Sequence, residues 1–163
     1  VEAGARCVSI SFGRWDTHSC RKAGDLAYKN NFTQLREYLP RLEQCLLALV
    51  DDIHERGLQD DVSVVVWGEM GRTPRVNKNG GRDHWSQVAG CLLAGGGMRM
   101  GQVIGKSDED AMLPAERPVN PYDLHATLCY ALGIDYKKEV KTPLGRPVKL
   151  INEEAKPVME LFG

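Results

Sequence analysis

The chain has 163 residues, of which 42% are hydrophobic, and its 21 Lys and Arg nearly balance its 22 Asp and Glu. This size and composition are typical of one domain with a buried core, and they exclude a disordered or collagen-like chain. The balanced charge argues against a nucleic-acid-binding protein. The longest apolar stretches, around 45–50 and 62–67, are far shorter than the roughly 20 residues of a membrane-spanning helix. The sequence therefore predicts no membrane span.

The first third of the chain has the pattern of a strand, a helix and a second strand. Residues 7–12 are small and β-branched and predict a strand that ends at Gly13. From 32 to 56 the apolar residues recur at three- and four-residue steps, which is typical of an amphipathic helix, and Gly57 follows as a stop signal. The continuous apolar run 62–67 is typical of a strand covered on both faces. This order predicts a right-handed βαβ unit, and so an α/β fold with a mostly parallel sheet flanked by helices.

The remainder of the chain fits the same single domain, 1–163. The glycine-rich, polar stretch 68–85 predicts a long functional loop. A third strand is predicted over 88–94, followed by a glycine turn and a short edge strand over 101–105. Asn120 as N-cap, followed by Pro121 at the first helical position, predicts a final helix that runs to about Leu132.

Three polar segments lie next to the predicted strands. Open α/β sheets form their binding sites where loops meet at the carboxyl ends of parallel strands, so we expect these segments to lie close together. They contain five potential metal ligands: Asp16, His18, Glu69, Asp83 and His84. This oxygen and nitrogen set suits a divalent cation without distinguishing zinc, manganese, calcium or magnesium. The same loops contain three candidate anion-binding residues, namely Arg14, Arg72 and Arg82.

Each of these side chains also has an ordinary structural interpretation. Asp16 could cap a turn, and the carboxylate of Glu69 could form an ion pair with Arg72 that orders the loop. Asp83 could orient His84 without touching a metal, as carboxylates around metal sites often do. The residues alone leave these alternatives open.

Five motifs in fixed order resemble the carboxyl-terminal part of the bacterial domain-of-unknown-function-1501 proteins. The motifs are Trp15-Asp16-Thr17-His18, Gly68-Glu69-Met70-Gly71-Arg72-Thr73-Pro74, Gly81-Arg82-Asp83-His84-Trp85, Leu93-Ala94-Gly95-Gly96-Gly97 and Gly145-Arg146-Pro147. That family is similar to the alkaline phosphatase and sulfatase superfamily, which hydrolyses or transfers phosphate and sulfate esters at a metal centre. The resemblance implies a partial alkaline-phosphatase-like fold and a small anionic ester as substrate.

The superfamily pattern implies one metal ion, held by Asp16, His18 and His84. The Asp-x-His spacing is shorter than the usual interval, and Met70 stands where a histidine of a second metal site is expected. One ion is therefore better supported than two. Glu69 and the remaining acidic candidate, Asp83, could supply a fourth ligand, an outer hydrogen-bond partner or a degenerate second site.

The superfamily takes its nucleophile from the amino-terminal half of the domain, and Ser19, Cys20 and Thr73 do not match that position. The strand predicted over 7–12 resembles an internal strand of a larger sheet. We therefore expect the chain to be the carboxyl-terminal portion of a larger domain, or a natural truncation, and to be inactive alone. The alternative is a non-catalytic binding or structural module that keeps the fold. Sheet edges left open predict a homo-oligomer. Many relatives carry twin-arginine leaders, so the resemblance implies an exported or periplasmic protein.

Overall fold

A computed structural model describes residues 1–18, 30–151 and 154–163 and has a mixed α/β structure. The helices are α1 (Asn31–Glu55), α2 (Pro121–Ala131) and the short 3-10 helix Met159–Leu161. The strands are β1 (Ser63–Trp67), β2 (Gly71–Arg72), β3 (His84–Trp85), β4 (Cys91–Gly95), β5 (Lys106–Ser107), β6 (Pro114–Glu116), β7 (Glu139–Lys141) and β8 (Pro147–Lys149). In the described part of the chain they form pairs: β1 with β4, β2 with β3, β5 with β6, and β7 with β8.

The chain divides into two compact units. Unit 1 consists of Val1–Leu49 and Arg72–His84, and unit 2 of Val50–Gly71 and Trp85–Gly163. Among the described residues, no helix combines the length and the apolar character that crossing a membrane requires.

The helix predicted over 32–56 is confirmed as α1, and local signals define both of its ends. At its start the carbonyl oxygen of the Asn30 side chain accepts hydrogen bonds from the backbone N–H (2.9 Å) and the hydroxyl (3.0 Å) of Thr33. This side chain satisfies a backbone donor that has no partner within the helix. At the end Gly57 adopts a φ of 68°, a left-handed conformation that glycine adopts without strain.

The strand β1 coincides with the predicted apolar run, but its observed pairing is antiparallel. Val65 lies opposite Leu93 of β4, whereas the sequence predicted a parallel βαβ unit. The segment 7–12, predicted as the first strand, forms none, and its Val8 and Ile10 are 62% and 82% exposed. A continuous apolar run indicates burial but not strand direction, and a strand forms only where a neighbour takes up its backbone hydrogen bonds. The α/β content is thus as predicted, and the mostly parallel sheet is not observed among the residues that the structure describes.

The pairings β5–β6 and β7–β8 are also antiparallel. The third predicted strand is found slightly later than 88–94, as β4, and the edge strand predicted over 101–105 is replaced by β5. The glycine turn after β4 is confirmed, because Gly95, Gly96 and Gly97 all have positive φ, at 71°, 65° and 67°.

The final helix is confirmed as α2, with a complete capping box. The Asn120 side chain accepts from the backbone N–H of Asp123 at 2.9 Å, and the Asp123 carboxylate accepts from the N–H of Asn120 at 3.2 Å. Buried Thr127 donates to the Asp123 carbonyl (2.7 Å) and accepts from the N–H of Val158 (2.9 Å). The helix thereby anchors the carboxyl-terminal segment, whose Val158 and Leu161 pack with Met98 in a small core.

Candidate metal centre

Three of the five predicted ligands converge in unit 1. One ligand atom from each of Asp16, His18 and His84 lies within 4.8 Å of the other two. Oδ1 of Asp16 accepts a hydrogen bond from Nδ1 of His18 and lies 3.5 Å from Nε2 of His84. The latter separation is close to the roughly 3.4 Å between two ligands of one tetrahedral zinc ion. The three side chains can therefore act as ligands of one ion.

The Asp-x-His segment is anchored by the residue between its two ligands. Thr17 is only 4% exposed, and its hydroxyl donates to the side-chain oxygen of Asn31, the first residue of α1, at 2.8 Å. The Thr17 carbonyl accepts from the backbone N–H of Arg82 at 3.0 Å. With Thr17 directed inward, the side chains of Asp16 and His18 remain 48% and 41% exposed, as a metal site open to solvent requires.

A short hairpin positions His84. The backbone N–H of Thr73 donates to the Asp83 carbonyl, and the N–H of Asp83 donates to the Thr73 hydroxyl, both at 3.0 Å. The hairpin loop begins just after Arg72 and ends just before His84, and these bonds hold its two ends side by side. The hairpin thereby brings Arg72 and His84 to the same site, although 11 residues separate them in the sequence.

Two imidazoles and a guanidinium group surround the Asp16 carboxylate. The hydrogen bond from His18 lowers the pKa of Asp16 below its usual value, and the contacts with His84 and with the Arg72 guanidinium act in the same direction. Nη2 of Arg72 lies 3.5 Å from Oδ1 of Asp16. Asp16 is therefore ionised, as a metal ligand must be, over a wider pH range than an isolated aspartate.

The predicted anion-binding arginines differ in their surroundings. Arg72 donates to the Trp15 carbonyl at 2.8 Å and to the Arg82 carbonyl at 3.4 Å. Nη1 of Arg82 donates to the carbonyls of Thr73 (2.8 Å) and Pro74. Both side chains therefore brace the loops of the site. Arg14 is exposed, and its carbonyl accepts a hydrogen bond from the side chain of Gln34 on α1.

The other two predicted ligands lie outside the group of three. The Asp83 carboxylate accepts a hydrogen bond from the side-chain amide of Asn77 at 2.8 Å. Glu69 is exposed and belongs to unit 2. Ser19 and Cys20 lie outside the described residues.

Two residues of the site did not emerge from the sequence pattern. Asn77 donates from its side-chain amide to the His18 carbonyl at 2.7 Å as well as to Asp83. Gly81 is buried against the backbone of Thr17 and His18. The string Asn77-Lys78-Asn79-Gly80-Gly81 is a turn signal, so the sequence indicated a turn but not its contact with His18.

Comparison with curated proteins and with solved structures found no significant match. The family model described as "Protein of unknown function (DUF1501)" matches residues 1–162, nearly the whole chain. The chain therefore belongs to the DUF1501 family of proteins of unknown function.

Proposed function

We propose that Asp16, His18 and His84 bind one divalent cation, and that the chain is the metal-binding part of a hydrolase of phosphate or sulfate esters. The observation that carries this proposal is the convergence of three ligand atoms within 4.8 Å, from segments 68 residues apart in the sequence. A carboxylate and two imidazoles form a common ligand set of catalytic metal sites.

The proposal includes membership of the alkaline phosphatase and sulfatase superfamily, which the ordered motifs of the chain support. In such a fold β1 would take a parallel neighbour on the edge opposite β4, in a mixed sheet of the kind that is common in large α/β domains.

A bound divalent cation would supply Lewis-acid polarisation of a phosphoryl or sulfuryl oxygen. The arginines of unit 1 would complement the negative charge of the ester. Arg72 lies beside Asp16, and Nε and Nη2 of Arg82 are the nitrogens that an anion would meet, since Nη1 is committed to carbonyls. Exposed Arg14 is suited to orienting the substrate before reaction.

The nucleophile is proposed to come from outside these 163 residues. The Thr17 hydroxyl is buried and bonded to Asn31. The Thr73 hydroxyl donates to the Arg75 carbonyl and accepts from the N–H of Asp83. Thr17 and Thr73 are thus both engaged in holding loops. We therefore expect the isolated chain to bind metal without hydrolysing p-nitrophenyl phosphate or p-nitrophenyl sulfate.

The test is metal analysis of protein purified without chelator, together with Zn²⁺ and Mn²⁺ titration by calorimetry. We expect one ion per chain in the native protein and a large loss in Asp16→Ala and His84→Ala. His54→Ala is the matched control, because His54 lies at the end of α1 and its ring contacts the Val50 carbonyl. Near-zero metal in the native protein and in all variants would overturn the proposal.

One observation favours a second candidate, a non-catalytic structural module. Asp16 already contacts His18, His84 and Arg72, so these contacts can link the loops without an ion. In that case Asp16→Ala lowers the melting temperature in chelator-containing buffer, and added metal does not raise the melting temperature of the native protein. If the site binds metal, added metal should instead raise the melting temperature of the native protein, since a ligand that binds only the folded state stabilises it.

A further inference from the structure

We infer that Asn77 is a positioning residue of the proposed metal centre, an inference that rests on the proposed function. Its side-chain nitrogen donates to the His18 carbonyl at 2.7 Å and to Oδ1 of Asp83 at 2.8 Å. His18 is one of the proposed ligands, and Asp83 directly precedes another, His84. A single amide group therefore joins the two chain segments that contribute the imidazoles.

The amide is itself held in place by its own turn. The side-chain oxygen of Asn77 accepts from the backbone N–H groups of Asn79 (3.0 Å) and Gly81 (3.1 Å). The backbone N–H of Asn77 donates to the Gly81 carbonyl at 2.8 Å, and its carbonyl accepts from Gly80 at 3.0 Å. The side chain is thus fixed at both ends before any metal binds.

This arrangement requires an amide. Both hydrogens of the nitrogen have acceptors, and the oxygen has two donors, so the hydrogen-bonding capacity of the group is matched on every side. An aspartate of the same shape would place an oxygen against the His18 carbonyl and the Asp83 carboxylate, where it could donate to neither. The substitution would separate the two segments while leaving the three proposed ligands present.

Asn77 acts through its neighbours, since its nitrogen is directed to the backbone of His18 and to Asp83. Loss of such outer partners typically weakens metal binding by about 10- to 100-fold. We expect a weakening in this range, accompanied by a change in coordination geometry, because the distance between the imidazoles would no longer be set.

The test is Co²⁺ titration of the full chain, followed by visible absorption, in which the d–d bands report coordination geometry. We expect Asn77→Asp and Asn77→Ala to weaken Co²⁺ binding by about 10- to 100-fold and to alter the bands. Val76→Asp is the control for charge, since Val76 is exposed and next to Asn77 in the chain. Circular dichroism in chelator shows that each variant folds, and Asn77→Ala carries the test if Asn77→Asp does not fold.

The outcomes distinguish a failure of the proposed metal site from a failure of the positioning role of Asn77. If the native protein binds no Co²⁺, the proposed function fails. If the native protein binds Co²⁺ and both folded Asn77 variants bind it equally well with unchanged bands, the positioning role alone is overturned. If Val76→Asp weakens binding as much as Asn77→Asp and Asn77→Ala has no effect, charge rather than the amide is responsible.

Discussion

The backbone of Gly81 packs directly against the carbonyl group of His18. A β-carbon at Gly81 would lie 2.5 Å from both the carbonyl carbon and the oxygen of His18, and 2.4 Å from the Thr17 oxygen. These separations are below the 3.0 Å that real β-carbons respect. The obstructing atoms belong to the backbone and cannot rotate away, so the hairpin that carries His84 can approach His18 only through a glycine.

Gly81→Ala should therefore destabilise the protein and weaken metal binding at the proposed centre. Introducing an atom into a close-packed contact costs about 1–3 kcal/mol of unfolding free energy, which urea denaturation measures. The control is Gly90→Ala, because no heavy atom lies within 4 Å of a β-carbon at that position. Equal stability of the two variants would contradict the close approach.

Arg72→Lys should also destabilise the protein. The Arg72 guanidinium donates to the carbonyls of Trp15 and Arg82, and an ammonium group on a different stem cannot reproduce this fork. Its side chain is only 21% exposed, so the carbonyls would lose a partner in a partly buried place. We expect Arg72→Lys to lower the free energy of unfolding by about 1–2 kcal/mol, as measured by urea denaturation. Arg75→Lys is the control and should not lower it, since Arg75 is exposed.

The ion pair between Arg117 and Glu160 should make stability depend on acid pH. Nε and Nη2 of Arg117 contact the two oxygens of Glu160 at 2.6 and 2.9 Å. The hydrogen bonds from Arg117 lower the pKa of Glu160 from 4.5 to about 2. Because this pKa is lower in the folded state, the pair stabilises the fold above about pH 4.5 and loses this effect as the pH falls toward 2.

Thermal unfolding of Arg117→Gln between pH 2 and pH 7 checks this sign. The melting temperature of the variant should lie below that of the native protein near neutral pH and converge with it at the acid end. Lys106→Gln is the comparison, since Lys106 contacts Glu116 through one exposed contact at 2.9 Å. A difference between Arg117→Gln and the native protein that stays constant with pH would contradict the assignment.

Asn120→Ala should destabilise α2. The substitution removes the acceptor for the Asp123 N–H and breaks the capping box, at a cost of about 1 kcal/mol. Asn120→Asp keeps an acceptor at the same place and should retain most of the stability. Chemical denaturation of the three proteins tests this ranking, and equal losses for both variants would contradict the role of the cap.

Self-association through an open sheet edge remains a prediction. Within the described ranges β1 and β4 pair only with each other, so each has an edge without a neighbouring strand. We expect the molar mass from light scattering to rise with concentration. Leu92→Lys on β4, where Leu92 is 50% exposed, should suppress this rise because a charged edge resists pairing. Leu113→Lys, at a similarly exposed position outside these strands, should not. A monomer at every concentration would contradict the prediction.

Local features of the sequence predicted both long helices. The three- and four-residue apolar spacing and Gly57 predicted α1, and Asn120 with Pro121 predicted α2, because periodicity and capping involve residues within a few positions of one another. Strand pairing is different. The apolar run of β1 indicated a buried strand, but nothing in it encodes that its neighbour is β4 in antiparallel orientation.

The site shows the same division. The sequence by itself determined which side chains of the loops have the chemistry to be candidates for binding a cation or an anion, since ligand chemistry belongs to the residue. The family resemblance already implied Asp16, His18 and His84 as one group, and the tertiary structure brings their ligand atoms within 4.8 Å of one another. Only the tertiary structure decided that Asn77 and Gly81 hold their segments together. The physical reason is that the contacts of His84 with Asp16, and of Asn77 and Gly81 with His18, join residues more than 50 positions apart. Their distances depend on how the loops pack rather than on any local pattern.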